Sequence, residues 1–197
     1  MIRRWNDNGV IFQWDGMVFS TALIECAMGA GICFDYAVFE NRDLSAINMD
    51  GQTFEYTHFI GCNLSGANMS EAVFRHCRFD HCDLTGTCMA ESILSHCDFS
   101  GSSFADSDFF DATMNGCIFT CPSIFNQNIN FCRQFIDIKY INESGFMDFD
   151  HPPTIIHHHA KRIVIGDDTV LYGEKMLDKG RWQRSVLHRI ERNTIKN

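Results

Sequence analysis

Large apolar residues return at every fifth position through the middle of the chain, and a small residue stands two places before nearly every one of them. In the stretch "ANMSEAVFRHCRFDHCDLTG" (67–86) the large residues are Met69, Phe74, Phe79 and Leu84. A helix would repeat near every 3.6 residues and a strand at every second residue. The fivefold repeat predicts neither element, but a chain that turns a corner every five residues.

The fivefold repeat covers 18 consecutive positions without a change of register. From Phe34 onward the order Phe, Phe, Leu, Met is written three times, so four pentads behave as one unit of 20 residues. Such a unit predicts a four-sided coil in which residues 20 apart lie above one another and each coil buries a face on the next. The 18 positions are Phe34, Phe39, Leu44, Met49, Phe54, Phe59, Leu64, Met69, Phe74, Phe79, Leu84, Met89, Leu94, Phe99, Phe104, Phe109, Met114 and Phe119.

The repeat also extends weakly beyond this register at both ends. It continues backward through Trp14, Phe19 and Ile24, and forward through Ile124 and Ile129. Between residues 57 and 117 every position two before a large residue is Ala, Ser, Thr or Cys, which predicts a tight inner wall. Nearer the N-terminus larger residues take that place, and we expect wider or irregular coils there. These larger residues are Phe12, Met17, Ile32, Arg42, Ile47 and Gln52.

Four pentads share one pattern: a small residue, Asp or Asn, a large apolar residue, and two mostly polar residues. They are "CNLSG" (62–66), "ANMSE" (67–71), "CDLTG" (82–86) and "CDFSG" (97–101). With this pattern the chain resembles the pentapeptide-repeat proteins, over roughly residues 10–131. The resemblance implies an all-β solenoid, a right-handed quadrilateral parallel β-helix, here of about six coils with a small α/β C-terminal extension.

Three segments follow from this interpretation: an N-terminal cap (1–9), the β-helix (10–131), and a C-terminal capping or interaction segment (132–197). Within the last segment, "FMDFDHPPT" (146–154) indicates a turn-rich connection, because two prolines cannot sit in a strand ladder. Further on, "AKRIVIGDD" (160–168) predicts a short strand at its apolar centre.

The acidic residues are concentrated in the predicted solenoid. The whole chain carries a net charge of −9, whereas residues 10–131 hold 15 acidic and 3 basic residues, a net of −12. This charge argues against direct binding of nucleic acid. Spread along six coils of ~4.8 Å, it gives one charge per roughly 2.4 Å, against one per ~1.7 Å in duplex DNA. The charge density of the solenoid is therefore close to that of DNA.

Three acidic residues are spaced by 20 and should form a ladder along one edge. They are Glu71, Glu91 and Asp111, and Asp106 and Asp108 lie nearby in sequence. The pattern suggests a DNA mimic that binds a DNA-binding protein, and the family resemblance implies DNA gyrase, which some members protect from inhibitors. The alternatives are a general interaction scaffold or a structural component of a larger assembly, such as a phage particle. A mimic needs its acids on one lateral stripe, whereas a scaffold scatters them over all faces.

A C-terminal helix is predicted over "RWQRSVLHRIERN" (181–193), with one apolar stripe. A helix this short is not stable alone and must bury that stripe. It either caps the last coil or pairs with a second copy, and the flanking arginines favour a homodimer. The stripe consists of Trp182, Val186, Leu187 and Ile190.

Catalytic, cofactor and metal sites are not indicated. The chain has no GxSxG motif, phosphate loop or CxxC pair, and we predict that it is not an enzyme. Three consecutive histidines (157–159) would point to alternate faces of a strand, which makes a poor metal site. His76 and His96 are 20 apart and should stack on the outside. With no apolar run for a membrane span and no signal peptide, we expect a cytoplasmic protein with reduced thiols.

Overall fold

The computed structural model describes residues 1–13, 20–158 and 161–184, and most of its elements are short strands. Its helices are α1 (Thr21–Gly29), two 3-10 turns (Pro122–Asn126 and Ile129–Phe131) and a helical segment over 179–184. The strands are β1 (Ile2–Arg4), β2 (Val10–Phe12), β3 (Ala37–Glu40), β4 (Thr53–Glu55), β5 (His58–Ile60), β6 (Val73–Arg75), β7 (Arg78–Asp80), β8 (Ile93–Ser95), β9 (Asp98–Phe99), β10 (Thr113–Asn115), β11 (Ile118–Phe119), β12 (Gln134–Ile136), β13 (Ile138–Asn142), β14 (Gly145–Phe149), β15 (Thr154–His158), β16 (Lys161–Ile165), β17 (Thr169–Tyr172) and β18 (Lys175–Asp178).

The repeat region forms a solenoid with four faces. Parallel strands 20 residues apart make the first face (β4, β6, β8, β10 and β12) and the second face (β3, β5, β7, β9, β11 and β13). The third face is held by single bridges that link Asp43, Asn63, Asp83 and Ser103, and the fourth by bridges that link Asn48, Asn68, Cys88 and Asp108. The predicted fold is confirmed, with about five turns rather than about six.

The missing coil lies at the N-terminal end, where helix α1 replaces it. The segment "TALIECAMG" is rich in Ala, Leu, Glu and Met, which favour a helix, and it lacks the pattern of small residues that a coil requires. Ile24, which the backward continuation of the repeat placed in a coil, is instead a helical residue buried in the core. Trp14 and Phe19 lie outside the described residues. Antiparallel strands β1 and β2 cover this end, with β1 paired to β3.

At the other end, parallel pairing continues past residue 131 after a one-residue insertion. Met114 pairs with Phe135 and Phe119 with Tyr140, at a separation of 21 instead of 20. The second 3-10 turn (Ile129–Phe131) lies where the extra residue enters, because Asn128 is still 20 residues from Asp108 whereas Gln134 is 21 from Thr113. The forward continuation of the repeat is kept in the core, because Ile124 and Ile129 are fully buried.

Strand β14 turns back along β13 and ends the parallel stack. Residues 146–149 are therefore strand, and the prediction of a turn-rich connection was wrong for them. Met147 and Phe149 are buried while Phe146 and Asp148 face solvent, and this alternation outweighs the prolines that follow.

Strands β15 to β18 form an antiparallel sheet that covers the C-terminal end of the solenoid. The predicted strand at the centre of 160–168 is confirmed within β16. Val164 and Leu171 belong to the same hydrophobic core as the coils. Of the predicted apolar stripe, Trp182 lies in the helical segment 179–184, whereas Val186, Leu187 and Ile190 lie outside the described residues.

All 18 large residues of the fivefold repeat point inward, and each is at most 1% exposed. On the second face they form a continuous ring stack. Its centroid distances are 5.0, 4.9, 4.9 and 5.1 Å, with ring planes within 10° of parallel. The stacked rings are Phe39, Phe59, Phe79, Phe99 and Phe119. This stack is the central contact between successive coils.

Candidate functional site: an acidic corner of the solenoid

The structure places Glu71, Glu91 and Asp111 in one line at the corner between the fourth and first faces. We call these three residues the acidic corner. Each has a positive φ, of 55°, 59° and 55°, because the chain turns there from one face to the next. The backbone N–H of Glu91 donates to Phe110 O at 2.9 Å, and that of Asp111 to Phe131 O at 2.9 Å. The predicted ladder geometry is therefore present, and its role in binding stays a prediction.

Asp111 differs from the two glutamates because it is already paired. Arg133 lies just after the one-residue insertion. It donates from Nε to Asp111 Oδ1 at 3.1 Å, and its Nη2 contacts the other carboxylate oxygen. These hydrogen bonds hold the pKa of Asp111 below its usual value. Among the described residues, Glu71 and Glu91 make no salt bridge, although the charge of Arg133 also attracts Glu91.

The other two candidate acids do not join this line. Asp108 lies on the fourth face, where its carboxylate accepts hydrogen bonds from Phe110 N at 2.9 Å and from Asn128 Nδ2 at 2.6 Å. It therefore holds its own turn and the next coil together. Asp106 is exposed at the neighbouring corner, between the third and fourth faces.

Two exposed phenylalanines flank the C-terminal end of the acidic corner, and sequence reasoning missed them. Phe110 is 55% exposed and Phe131 is 64% exposed. Both contact the corner through the backbone hydrogen bonds of Glu91 and Asp111. The exposure of Phe110 could have been predicted from the sequence, because Phe110 follows the inward Phe109 at a solvent-facing position of its pentad. The exposure of Phe131 could not have been predicted, because it depends on the extra residue that changes the separation between coils from 20 to 21.

The acidic residues of residues 20–131 are not confined to one stripe. The strand and bridge registers distribute them over all four faces, with the acidic corner as the only line of three. The first face carries Asp35 and Glu55, the second Glu40, Asp80 and Asp98, the third Asp43 and Asp83, and the fourth Asp50 and Asp108. By the criterion of a lateral stripe, this distribution favours a general scaffold over a mimic that is charged along one side only.

A second external ladder lies at the corner between the first and second faces. Tyr36, Tyr56, His76 and His96 stack there with centroid distances of 5.1, 4.8 and 5.0 Å. The expected stacking of His76 on His96 is therefore present. At the N-terminal end Trp5 joins the ladder, since its Nε1 donates to Tyr56 O at 2.6 Å.

The cysteines serve packing rather than chemistry. All ten are free, and those on the inner wall donate S–H to carbonyl oxygens of the preceding coil. Burial raises the pKa of the Cys132 thiol to about 12, and a hydrogen bond with Cys62 together with burial raises that of Cys82. Reactive cysteines need a lowered pKa and access to solvent. The hydrogen bond with Cys82 does lower the pKa of the Cys62 thiol, but this side chain is buried on the inner wall and donates to Phe39 O at 3.2 Å. The described residues contain no cluster of three metal-binding side chains, and none of their helices is long and apolar enough to cross a membrane.

The comparison with protein families agrees with the geometry. A model of the pentapeptide repeat region matches residues 52–129, and a model of eight pentapeptide repeats matches residues 32–70. Through this solenoid, the chain belongs to the pentapeptide-repeat family. No curated protein matches the sequence.

Several solved structures are similar in fold. QnrB1, a plasmid-mediated fluoroquinolone resistance protein, is 23% identical over 41% of this chain and 42% of its own, with a TM-score of 0.39. Rfr23 from the cyanobacterium Cyanothece 51142 is 9% identical over 51% of this chain and 86% of its own (TM-score 0.45). HetL from Nostoc sp. strain PCC 7120, involved in heterocyst differentiation regulation, is 18% identical over 41% and 40% (TM-score 0.33). The match spans less than half the length of QnrB1 and HetL.

Proposed function

We propose that this protein is a non-catalytic, protein-binding solenoid whose acidic corner binds a basic surface of a protein partner. The observation that supports this most is the pair of exposed glutamates without a salt bridge, Glu71 and Glu91, next to two exposed phenylalanines. Interfaces commonly combine a buried aromatic anchor with a polar rim. Complementary charge adds partner selection and a faster association rate.

The backbone of the corner supports this role. Each corner residue is held by a short hydrogen bond to the next coil, and each lies on a fully packed core. A backbone this rigid loses little conformational freedom when a partner binds, which lowers the free-energy cost of association, although the exposed glutamate side chains still lose rotamer freedom.

The test compares capture of proteins from a lysate of the source organism by the immobilised full chain and two variants. The corner variant is Glu71→Gln with Glu91→Gln, which spares Asp111 because neutralising it would release Arg133. The matched control is Glu40→Gln with Glu143→Gln, which removes the same charge elsewhere.

We expect wild type and the control to retain a partner that high salt elutes, because exposed charges are screened by salt. The corner variant should lose that partner. Identical capture by the corner variant would refute the role of the acidic corner.

DNA mimicry is the sharper form of the same function, and the net charge of −12 over residues 10–131 favours it. In that case the partner is a DNA-binding protein, with DNA gyrase the candidate that the family resemblance suggests. Purified gyrase should then bind the immobilised chain, and duplex DNA should displace it. Binding that duplex DNA leaves unchanged would exclude mimicry while leaving the general binding role intact.

A further inference from the structure

We propose that the N-terminal end of the solenoid binds a small anion that carries a phosphate group and a flat ring, such as a nucleoside monophosphate. The site is a cavity of about 370 Å³ formed by residues on and next to β1 and β3. It lies beside the second face, away from the acidic corner, so the inference does not rest on the proposed protein-binding role. Three observations carry it: the arginines around the cavity, an exposed indole in its wall, and the size and charge of its surroundings.

Three arginines from two distant parts of the chain line this cavity. They are Arg3, Arg4 and Arg42, whereas residues 1–131 contain only two other lysines or arginines. Arg42 is half-buried and stands at the position that small residues occupy in the later coils. Burial and the charges of Arg42 and Arg3 lower the pKa of the Met1 amino group, so these two guanidinium groups act on the same space. The cavity therefore gathers positive charge at one end of an otherwise acidic solenoid.

Two of these guanidinium groups are held in place and keep donors for a ligand. Arg3 Nη1 donates to Asn8 O at 2.8 Å, and Arg4 Nη1 pairs with Asp7 Oδ2 at 3.0 Å. Each side chain uses one nitrogen for this contact, and a guanidinium has five N–H donors. The fork of a guanidinium matches the oxygens of a phosphate, which it binds through paired, charge-assisted hydrogen bonds. Arg3 and Arg4 can therefore bind a phosphate group without losing the contacts that position them.

The wall of the cavity also contains the indole of Trp5. His58 covers one face of this ring at a centroid distance of 5.0 Å, and the indole Nε1 donates to Tyr56 O at 2.6 Å. The ring is thereby fixed, yet Trp5 stays 47% exposed. Flat rings such as nucleobases stack on exposed aromatic side chains of this kind. Glu40 lines the same cavity and can accept hydrogen bonds from the hydroxyl groups of a sugar.

The size and the charge of the surroundings favour one nucleotide over a nucleic acid chain. A cavity of about 370 Å³ lies near the lower limit of the ~300–1,000 Å³ that is typical of small-molecule sites. The net charge of −12 over residues 10–131 repels a long polyanion that would extend along the solenoid. Within the cavity, by contrast, three arginines outweigh Glu40 and the neighbouring Asp7.

The test is calorimetric titration of the full chain with adenosine monophosphate, adenosine and inorganic phosphate. We expect adenosine monophosphate to bind roughly tenfold tighter or more than either of the other two, because it alone contacts both the arginines and the indole. Arg3→Gln with Arg42→Gln should weaken its binding by roughly tenfold or more, because charge-assisted hydrogen bonds are lost. The matched control is Arg75→Gln with Arg78→Gln, which removes the same charge from the coils and should bind like wild type.

Substitutions of Trp5 separate the ring from the phosphate. Trp5→Leu should reduce the affinity for adenosine monophosphate to that for inorganic phosphate, and phosphate binding itself should stay as in wild type. Trp5→Phe keeps an aromatic ring and should retain most of the preference for the nucleotide. Circular dichroism and the melting temperature verify that each variant is folded.

Three results would overturn the inference: no binding of adenosine monophosphate by wild type at millimolar concentration, equal binding by wild type and the Arg3 and Arg42 variant, or equal affinity for the nucleotide and inorganic phosphate. Tighter binding of a short single-stranded oligonucleotide with a terminal phosphate would overturn the choice of a small ligand. The proposed function is tested separately, because the corner variant with Glu71→Gln and Glu91→Gln should bind the nucleotide like wild type.

Discussion

On the inner wall, one hydrogen bond to the preceding coil recurs at several positions, and different side chains make it in the same way. Cys77 Sγ donates to Phe54 O at 3.3 Å, and Thr57 Oγ1 donates to Phe34 O at 2.8 Å, each to the carbonyl 23 residues earlier. Ser102 makes the equivalent bond to Phe79 O at 2.6 Å. Cys, Ser and Thr are therefore interchangeable in kind at these places, because each is small and carries a donor.

Substitutions of Cys77 test how tightly the inner wall is packed. Cys77→Ala removes a weak thiol donor and little volume, and we expect it to lower the free energy of unfolding by only about 1 kcal/mol. Cys77→Leu adds volume to a filled site and should cost about 1–3 kcal/mol or more. Denaturant titration of both variants measures the difference. Equal stability of the two variants would mean that the wall has room and is not tightly packed.

At the scale of elements, the ring stack of the second face joins strands that are each only two to four residues long. Such strands are too short to be stable alone. Stacking one coil on the next buries the apolar surface that a single coil would leave exposed. Phe79 contacts Phe59 and Phe99 at 4.9 Å on either side, and Phe74 edge-on at 5.3 Å.

Phe79→Ala should therefore lower the free energy of unfolding by roughly 3–5 kcal/mol, as for other buried aromatic truncations. Phe110→Ala is the matched control, because it removes the same atoms from an exposed ring. We expect the control to stay within about 0.5 kcal/mol of wild type. Thermal and denaturant melts measure both variants. A melting temperature of Phe79→Ala equal to that of the control would contradict the enclosed stack.

At the scale of the whole molecule, the solenoid is closed at its two ends by different devices. The C-terminal end is covered by the β13–β14 hairpin and the β15–β18 sheet, which share the core of the coils. The N-terminal end is covered by α1 and by strands β1 and β2. Trp5 next to β1 stacks on the imidazole of His58 at 5.0 Å, with ring planes 5° apart. The N-terminal cap therefore packs on a titratable group of the solenoid.

The free energy of unfolding should fall as the pH drops below about 6.5, because His58 becomes protonated more readily in the unfolded chain. Burial and the neighbouring Arg78 hold the pKa of His58 below its ordinary value of 6.5. Between the lowered pKa and pH 6.5, His58 is more often protonated in the unfolded chain than in the folded chain. The stability that neutral His58 contributes is therefore complete above pH 6.5 and is lost as the pH falls below it. Denaturant midpoints across this pH range measure it. His58→Gln should flatten the dependence, and an unchanged slope would exclude His58 as the cause.

The coil could be predicted from the sequence alone. The fivefold spacing of Phe, Leu and Met and the small residues on the inner wall specify a four-sided solenoid, because neither a helix nor a flat strand buries every fifth residue. The line of Glu71, Glu91 and Asp111 follows from the same count of 20. Such regular features can be read from one sequence, since each coil contacts only its neighbours.

Where the repeat is imperfect, the outcome became visible only in the folded chain. Helix formers outweigh the weak repeat around Ile24, and an insertion before Phe135 changes the separation from 20 to 21, which brings Arg133 onto Asp111 and exposes Phe131. The faces on which the other acids lie also depend on this complete winding. The helix is favoured by local composition that the count of five ignores, whereas the other outcomes depend on contacts between residues far apart in the chain.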